Sequence, residues 1–392
     1  MIDVGGPILL IAYTARMLAK LARRANYEVI ALDYFGDRDL RVLCPGRSLL
    51  RDYADKAYSP RALLSAARQM DAAAVVYGAS FENHPDLVDQ LAASRLLLGN
   101  TSDTLRRVRD PIELMQVLRE GGFAYPQTYM VEANLVGVNG AGASPTAFLQ
   151  DDAPGWLWKP LRGGGGTHVT WADKATNHSG VHQQYIEGVP CSFAFVANGT
   201  HARVIGLTEQ LIGTPEFGAS GFRWCGNLSP PRVDAAALQA MWAEAQAIAA
   251  RLTTAFGLHG INGVDFIWHA DRIWTIEVNP RLSASLELFD MAYAAPVFDW
   301  HVRGCLGQEL PDIGVLSTRA FGKAVIFAST NVTTGDTQFW ANHDLCDIPH
   351  DHEHILRDHP ICTALVEEET ADACLTTLHA RADLVRQWVT CD

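Results

Sequence analysis

The stretch His259–Arg281, with the sequence HGINGVDFIWHADRIWTIEVNPR, decides how the rest of the chain is interpreted. Its alternation of apolar and polar residues predicts an antiparallel β-hairpin that closes at Ala270-Asp271-Arg272. Five apolar side chains would then share one face and pack into the core: Phe266, Trp268, Trp274, Ile276 and Val278. The hairpin therefore presents its other, polar face to a binding site or to solvent.

The polar face carries the residues that indicate chemistry. Asp265 would lie directly across from Glu277, and Asn279 and Arg281 follow at every second position along the second strand. Two facing carboxylates repel each other unless a cation lies between them. Oxygen ligands of this kind suit Mg²⁺, which takes one or two carboxylates together with substrate phosphates. The alternative is a solvated hairpin face with scattered charge.

Composition and charge narrow the class of protein. The chain has 392 residues, of which 48% are hydrophobic and 19% charged, with a net charge of −13 and no Lys/Arg cluster. Such a chain predicts a globular protein of several domains that does not bind nucleic acid. No apolar run approaches the length of a membrane span, and no signal peptide precedes Ile8. Eight cysteines without a CxxC pair indicate reduced thiols, and we expect a cytoplasmic protein.

The first hundred residues read as a Rossmann-like module. Pro7–Tyr13 and Glu28–Leu32 predict parallel strands around a helix that contains Arg16 and that Thr14 could cap. Further elements are predicted at Pro60–Met70, Ala73–Tyr77, Pro85–Ala92 and Arg95–Leu98. Asp33 mimics the ribose-binding acid of NAD enzymes, but the first turn lacks the Gly-x-Gly-x-x-Gly pattern. Dinucleotide binding is therefore disfavoured.

A run of four glycines follows in the middle of the chain. Helices are predicted over 101–122, with Asp110-Pro111 as a start and Gly121-Gly122 as a stop, and 132–144 is predicted to be a loop. Strands at Trp156–Leu161 and Thr167–Trp171 flank Gly163, Gly164, Gly165 and Gly166. Free backbone N–H groups in such a run can wrap an anion, and Lys159 would add a positive charge. A phosphate clamp on a flexible lid and a plain hairpin turn with a surface lysine both fit this pattern.

Four later segments also allow predictions. Val181–Gly188 predicts a strand that runs into a turn, and Asp234–Phe256 predicts a long amphipathic helix that packs beneath the hairpin. The segment Glu216–Arg232 is either a substrate loop or a surface connection. His350, His352 and His354 would share a strand face and could hold a metal, although an exposed acidic loop is the simpler interpretation.

These motifs occur in a recognisable order. Lys159-Pro160, the glycine run, Gln-Gln-Tyr-Ile-Glu-Gly at 183–188, Val-Asp-Phe-Ile at 264–267 and Ile-Glu-Val-Asn-Pro-Arg at 276–281 resemble the ATP-grasp superfamily of carboxylate-amine ligases. The resemblance covers roughly residues 1–305 and looks closest to the branch that assembles one-carbon cofactors, the tyramine–glutamate ligase type. It implies an α/β fold, α+β in the lid, with a Rossmann-like N-terminal domain, a two-lobed ATP-binding region and a small C-terminal lobe.

The resemblance also implies roles for individual residues. Lys159 would contact ATP phosphates under the glycine run, and Gln184, Tyr185, Ile186 and Glu187 would surround the adenine and ribose. Asp265, Glu277 and Asn279 would bind Mg²⁺, or Mn²⁺ in its place, and Arg281 would lie beside the transferred phosphate. The expected domains are a Rossmann-like domain (1–105), linker helices with the lid (106–188), an ATP- and metal-binding catalytic domain (189–305) and a C-terminal lobe (306–392).

Two departures from the family pattern bear on activity. Where the family often has a second lysine before the lid, this chain offers Arg106, Arg107 and Arg109, and arginine can bind phosphate in bidentate fashion. Ser285 lies where the biotin-carboxylase branch has a bicarbonate-handling glutamate, which disfavours carboxylation. We therefore expect an ATP-dependent C–N ligase of small-molecule carboxylate and amine substrates. The alternatives are an enzyme that uses bicarbonate or formate and a nucleotide-binding subunit without activity. We also consider a homodimer, since the sequence does not fix the number of subunits.

Overall fold

A computed structural model describes residues 2–53, 57–131, 155–174, 179–293, 295–314 and 317–391. The loop predicted over 132–144 lies outside these residues. The described β-strands are β1 Ile8–Ile11, β2 Val29–Asp33, β3 Gly46–Ser48, β4 Ala74–Tyr77, β5 Leu96–Leu97, β6 Thr128–Val131, β7 Trp156–Lys159, β8 Thr170–Trp171, β9 Gly180–Gln184, β10 Val189–Asn198, β11 Ala202–Ile212, β12 Trp224–Ser229, β13 His259–His269, β14 Arg272–Asn279, β15 Ala320–Phe327, β16 Val332–Thr334, β17 Leu345–Cys346, β18 His354–Ile355, β19 Pro360–Glu368 and β20 Val389–Cys391.

The described α-helices are α1 Arg16–Arg24, α2 Arg38–Leu43, α3 Leu49–Asp52, α4 Pro60–Ala67, α5 Pro85–Ala92, α6 Ser102–Val108, α7 Pro111–Glu120, α8 Ala235–Phe256, α9 Leu286–Ala292, α10 Val297–Cys305 and α11 Ala371–Trp388. Short 3-10 turns occur at Phe81–Asn83, Ala172–Lys174, Pro215–Phe217 and Trp340–His343. Within the described ranges, no helix combines the length and the apolar character that crossing a membrane requires.

The N-terminal part is a five-stranded parallel sheet in the order β3-β2-β1-β4-β5. Strand β1 is buried along its whole length, because helices cover the sheet on both sides. This arrangement confirms the predicted β-α-β module, although β1 is shorter than the apolar run from Pro7 to Tyr13. In such a sheet the carboxyl ends of the strands meet at one edge, which is where ligands bind in open α/β folds.

Two helices and a small antiparallel sheet follow. Asp110 caps α7 by accepting the N–H groups of Ile112 and Glu113, and the helix stops at Gly121, as the sequence predicts. The small sheet has the order β6-β9-β7-β8 and is the predicted lid. Strand β9 ends at Gln184, so the predicted strand over 181–188 was too long. The shortening leaves residues 185–188 as a connection from the lid to β10.

The largest sheet has eight strands in the order β14-β13-β10-β11-β12-β15-β19-β17. Helix α8 begins at the Asp234 cap and ends at Gly257, which has a φ of +64°. Its buried residues, Met241 and Ile248 among them, pack against Phe266 and Val278 of the hairpin, as predicted. Three strands from beyond residue 306 extend this same sheet. The hairpin thus lies at the sheet's edge with one face fixed against α8.

Candidate active site

The β13–β14 hairpin holds the two acids opposite each other. It closes through Ala270 and Asp271, whose φ values of 49° and 56° give a two-residue turn that matches the twist of the strands. The predicted three-residue turn was therefore wrong by one residue, because Arg272 belongs to β14 and pairs with His269. Asp265 pairs directly with Glu277 across the hairpin. The predicted pairing of the two carboxylates on one face is therefore confirmed.

The predicted core face of the hairpin was partly wrong. The pairing register shifts between Asp265 and Phe266, because Ile276 forms a β-bulge in β14. The extra residue reverses the alternation of every residue before it, so Ile273 and Thr275 are buried, whereas Trp274 and Ile276 are only half-buried. Trp274 consequently faces the same side as the acid pair and becomes part of the site.

Asp265 is held by amides and carries an unbalanced charge. Its two carboxylate oxygens accept hydrogen bonds from Gln210 Nε2 and Asn279 Nδ2, each at 3.0 Å. Burial, together with the nearby charge of Glu277, raises the pKa of Asp265 to about 7. A divalent cation between the two carboxylates would remove that repulsion and displace the proton. The oxygen donors of Asp265, Glu277 and Asn279 therefore fit Mg²⁺.

Lys159 approaches the acid pair from the lid sheet. Its Nζ donates a 2.6 Å hydrogen bond to Gln183 Oε1 on the neighbouring strand β9. Burial lowers the pKa of Lys159, and the charges of Glu277 and Asp265 act against that shift. The structure thus brings Lys159 within the electrostatic reach of both acids, which the sequence alone could not establish.

Arg281 is fixed by a residue of the N-terminal sheet. Its Nε lies 2.8 Å from Glu82 Oε1, and both side chains are largely buried. Nη2 lies 3.4 Å from Asn279 Oδ1, on the side of the acid pair. Glu82 is in the short turn after β4 and has a second carboxylate oxygen that is buried without a hydrogen-bond partner among the described residues. Sequence reasoning missed Glu82, although its position at the carboxyl end of a parallel strand was a usable signal.

Only one of the three arginines that precede the lid reaches the site. Arg109 Nη1 lies 3.8 Å from Glu277 Oε2, and its Nη2 donates to Asn83 Oδ1 at 2.9 Å. Arg106 forms a surface ion pair with an acid of α5, and Arg107 stacks on the ring of Phe256. Of these three described arginines, Arg109 is therefore the one that lies beside the acid pair.

A pocket of about 340 Å³ lies between the hairpin and the chain that connects β9 to β10. Its lining includes all four residues expected around the adenine and ribose: Gln184, Tyr185, Ile186 and Glu187. Two aromatic side chains that the sequence did not suggest, His269 and Trp274, also line it, together with Gly155. The backbone N–H of Tyr185 donates to the Gly155 carbonyl, whereas that of Ile186 makes no backbone hydrogen bond within the described ranges. The pocket can therefore accept a flat base that also bonds to the backbone.

The glycine run closes over the site from the lid. Gly165 and Gly166 have φ values of +64° and +68°, and the Gly165 carbonyl accepts the N–H of Trp224 at 2.9 Å. A Cβ atom at Gly166 would lie 1.9 Å from the carbonyl oxygen of Phe222, whereas one at Gly164 would meet nothing within 4 Å. Only Gly166 is therefore required by close packing, and Gly164 keeps its backbone open to a ligand.

Several other predicted features have structural roles. Thr14 does not cap α1, because the cap position is Ala15 and the Thr14 hydroxyl instead lies 3.5 Å from Asp347. Asp33 is fully buried and accepts the N–H groups of Ala15 and Gly36, so it closes the first loop and binds no ribose. The segment over 216–232 supplies strand β12 in its second half.

The histidine-rich segment does not form a metal centre. Only His354 of the three alternating histidines belongs to a strand, and His350 contacts the Gly36 carbonyl through its ring. In the part of the chain that the structure describes, no group of three or more His, Cys, Asp or Glu side chains could hold a metal. The three histidines therefore do not share one strand face as predicted.

Comparisons with known proteins agree with this geometry. A family model described as the ATP-grasp domain matches residues 108–285. The formate-dependent phosphoribosylglycinamide formyltransferase of Geobacter metallireducens is 35% identical over 78 residues, which are 20% of this chain and 20% of that protein. The chain thus matches about a fifth of the length of this curated relative.

Solved structures show the same fold over nearly the whole chain. The carboxyaminoimidazole ribonucleotide synthase of Aspergillus clavatus, a complex with ATP, is 15% identical, with a TM-score of 0.70 over 98% of this chain and 99% of that one. The biotin carboxylase domain of the 2-oxoglutarate carboxylase of Hydrogenobacter thermophilus, a complex with MgADP, ADP and bicarbonate, is 11% identical, with a TM-score of 0.71 over 98% and 90%. Residues 108–285 thus match the ATP-grasp domain, and the chain has the ATP-grasp fold.

Proposed function

We propose that this protein is an ATP-dependent ligase that joins a small-molecule carboxylate to an amine through an acylphosphate. The observation that carries the proposal is the pairing of Asp265 with Glu277 on a hairpin that also lines a pocket of about 340 Å³, with Lys159 and Arg281 close to the acids. Opposed acids surrounded by cations suit a magnesium nucleotide and disfavour a solvated surface.

Each group has a distinct task in this reaction. When bound, Mg²⁺, or Mn²⁺ with the same ligands, neutralises charge on the phosphates and orients them. Lys159 and Arg109 bind phosphate oxygens, while the base lies between Trp274 and the backbone of Ile186. The N–H groups of the glycine run cover the phosphates and exclude water, which would otherwise hydrolyse the acylphosphate.

The chemical steps need positioning rather than a protein nucleophile. The substrate carboxylate attacks the γ-phosphorus in line, the bond to ADP breaks, and an acylphosphate forms. The amine nitrogen then attacks the acyl carbon, phosphate leaves, and the amide retains the new C–N bond. Arg281 Nη2, held toward Asn279, is placed to stabilise the oxyanion of the tetrahedral intermediate.

A second candidate is an enzyme that uses formate or bicarbonate, because the curated relative is named as formate-dependent and a solved neighbour contains bicarbonate. The residues after Arg281 disfavour bicarbonate as the substrate. Ser283 and Ser285 bond to each other at 2.9 Å where a charged side chain would be needed. ADP release that requires formate or bicarbonate but no other carboxylic acid would favour this candidate.

The decisive experiment is a screen of ATP-dependent phosphate release against pairs of carboxylic acids and amines. We expect release only when both are present, with none in Glu277→Gln, because that substitution removes one of the two metal-binding acids. Glu369→Gln, at an exposed position far along the chain, is the matched control and should keep full activity. Unchanged turnover in Glu277→Gln would contradict the metal role, and nucleotide binding without turnover by any pair would favour a non-catalytic subunit.

Two further points belong to the same proposal. A cytoplasmic location is supported by the eight cysteines, none of which forms a disulfide and five of which are buried. A homodimer is supported by the neighbour from Hydrogenobacter thermophilus, whose structure is described as a dimer. Gel filtration with light scattering tests the second point directly.

A further inference from the structure

The loop between β11 and β12, the docking loop (residues 213–223), supplies no residue to the described lining of the base pocket but touches the lid. The ring of Phe222 packs edge-on against that of Trp171 in β8, with 5.6 Å between the ring centroids. A Cβ atom at Gly166 would lie 1.9 Å from the Phe222 carbonyl oxygen, so the backbones are in close contact there. Phe222 thus touches the lid with both its ring and its backbone.

The glycine run is held at both ends. Trp224, directly after the docking loop, donates its backbone N–H to the Gly165 carbonyl at 2.9 Å. At the other end, the Gly163 carbonyl accepts a hydrogen bond from Asn83 Nδ2 at 3.3 Å. Gly164 lies between these contacts, and a Cβ atom there would meet nothing within 4 Å. The docking loop therefore fixes the end of the run, while its middle stays open to a ligand.

Trp171 connects the docking loop to the base pocket. Its ring centroid lies 5.1 Å from that of Tyr185, and a Cβ atom at Gly155 would come within 2.8 Å of the indole. Tyr185 and Gly155 both line the pocket, and the Tyr185 N–H donates to the Gly155 carbonyl at 2.7 Å. The indole therefore packs directly against the pocket wall and also against Phe222. A movement of the lid away from the docking loop would carry that wall with it.

The C-terminal lobe anchors the docking loop. The Arg223 guanidinium lies over the Phe327 ring at 5.0 Å, and its Nη1 donates to the Asp358 carbonyl at 3.0 Å. Phe217 is fully buried, and its ring lies 5.1 Å from that of His379 in α11. A buried ring and a guanidinium thus attach the loop to the lobe, so the position of Phe222 depends on the lobe.

The contact between Phe222 and Trp171 suits a lid that must open. Trp171 is 36% exposed and Phe222 is half-buried, so separation of the rings exposes little additional apolar surface. An edge-on aromatic pair changes an equilibrium constant by about two- to tenfold. A contact of this strength favours the closed lid but still permits product release.

We propose that Phe222 is a positioning residue that holds the lid closed over the nucleotide, and that the C-terminal lobe fixes Phe222 through the docking loop. This inference rests on the proposed function, because it takes the pocket beside Trp171 as the base site. A closed lid separates the bound nucleotide from solvent. Within the described ranges the lobe supplies no residue to the pocket lining, so it acts on the reaction through the rate at which nucleotide leaves.

The test measures release of MgADP from the full-length protein by stopped flow, with fluorescent mant-ADP as the probe and excess ADP as the chase. Phe222→Ala should release the probe about two- to tenfold faster than wild type at an unchanged association rate, because only the closed state loses a contact. It should have no further effect in protein that already carries Trp171→Ala, since the partner ring is gone. Phe339→Ala, which removes a ring that is 37% exposed, is the control.

A second pair of variants tests the C-terminal lobe. Arg223→Ala removes the contacts with the Asp358 carbonyl and the Phe327 ring but leaves the lid residues intact, so release should again accelerate. Arg357→Ala is the matched control. Its guanidinium pairs with the same Asp358 but is 72% exposed, and this variant should keep the wild-type rate.

If Phe222→Ala releases mant-ADP at the wild-type rate, or if its effect persists undiminished beside Trp171→Ala, the contact does not hold the lid and the inference is overturned. A wild-type rate in Arg223→Ala overturns the part assigned to the lobe. Phe222→Leu, which keeps an apolar side chain without a ring, replaces the alanine variant if that fails to fold. No mant-ADP binding by wild type would contradict the proposed function itself, whereas normal binding with unaltered release in the variants contradicts the docking contact alone.

Discussion

Removing the Asp265 carboxylate should stabilise the ligand-free protein while destroying its magnesium-nucleotide site. Asp265 is half-buried opposite Glu277, and its pKa rises from 3.8 to about 7. At about 1.4 kcal/mol per pKa unit, the folded state loses up to roughly 4 kcal/mol when this group ionises. Solvent reaches part of the side chain, so for Asp265→Asn we expect a gain on the order of 2 kcal/mol.

The sign of this effect depends on pH in a defined way. Below the unfolded pKa of 3.8 the acid is protonated in both states and contributes nothing. Between 3.8 and about 7 only the unfolded chain loses the proton, so wild type becomes progressively less stable relative to the variant. Above that window the difference stays constant.

Urea denaturation at about pH 5 and about pH 8 measures the prediction. The gain of Asp265→Asn should be roughly half as large at the lower pH. Asp271→Asn, in the exposed turn of the same hairpin, is the matched control and should show no pH-dependent gain. Saturation with MgADP should reverse the ranking, since about a hundredfold excess over Kd adds about 2.7 kcal/mol to wild type only. A variant less stable than wild type at pH 8 without nucleotide would refute the reasoning.

Three other substitutions probe the site, and two of them have a matched control. Gly166→Ala should lower turnover in steady-state kinetics at least about tenfold, because its Cβ would lie 1.9 Å from the Phe222 carbonyl oxygen. The control Gly164→Ala meets no atom within 4 Å and should keep turnover. Arg109→Ala should weaken MgATP binding by about tenfold in fluorescence titration, because it removes a cation beside Glu277, whereas Arg106→Ala removes a surface ion pair and should leave binding unchanged. Trp274→Ala should raise the KM for ATP and leave kcat nearly constant, since the ring lines the base pocket; a drop in kcat alone would contradict that role.

The acid pair could be predicted from sequence because a strand has a period of two. Counting across the predicted three-residue turn pairs Asp265 with Glu277, whereas the turn has only two residues and the pairing arises because the bulge at Ile276 adds the missing residue. The bulge at Ile276 has no marker in the sequence, since neither glycine nor proline accompanies it, and it reversed the prediction for Trp274. The alternation of residues along a strand therefore predicts which residues share a face, but a β-bulge that the sequence does not mark reverses that prediction for part of the strand.

Contacts between distant segments could not be predicted from the sequence. Glu82 and Arg281 are about two hundred residues apart, and nothing in either neighbourhood names the other. The choice among Arg106, Arg107 and Arg109 depended on where α6 ends, because only the residue after its last turn points toward Glu277. The order of the motifs was enough to predict the fold, whereas the packing of distant segments determines which side chains lie together.

The Arg281–Glu82 pair links catalysis to the arrangement of the domains. Nε of Arg281 is committed to Glu82 and Nη1 to the Leu282 carbonyl, which leaves Nη2 as the group directed to Asn279 and the acid pair. A guanidinium fixed at two points cannot rotate, so it is preorganised for charge that develops beside the acids. Because Glu82 follows β4 of the parallel sheet and Arg281 follows β14 of the hairpin, this orientation exists only while the two sheets remain docked. In the proposed reaction, the N-terminal sheet, which lacks a dinucleotide fingerprint, would therefore serve to hold the arginine in place.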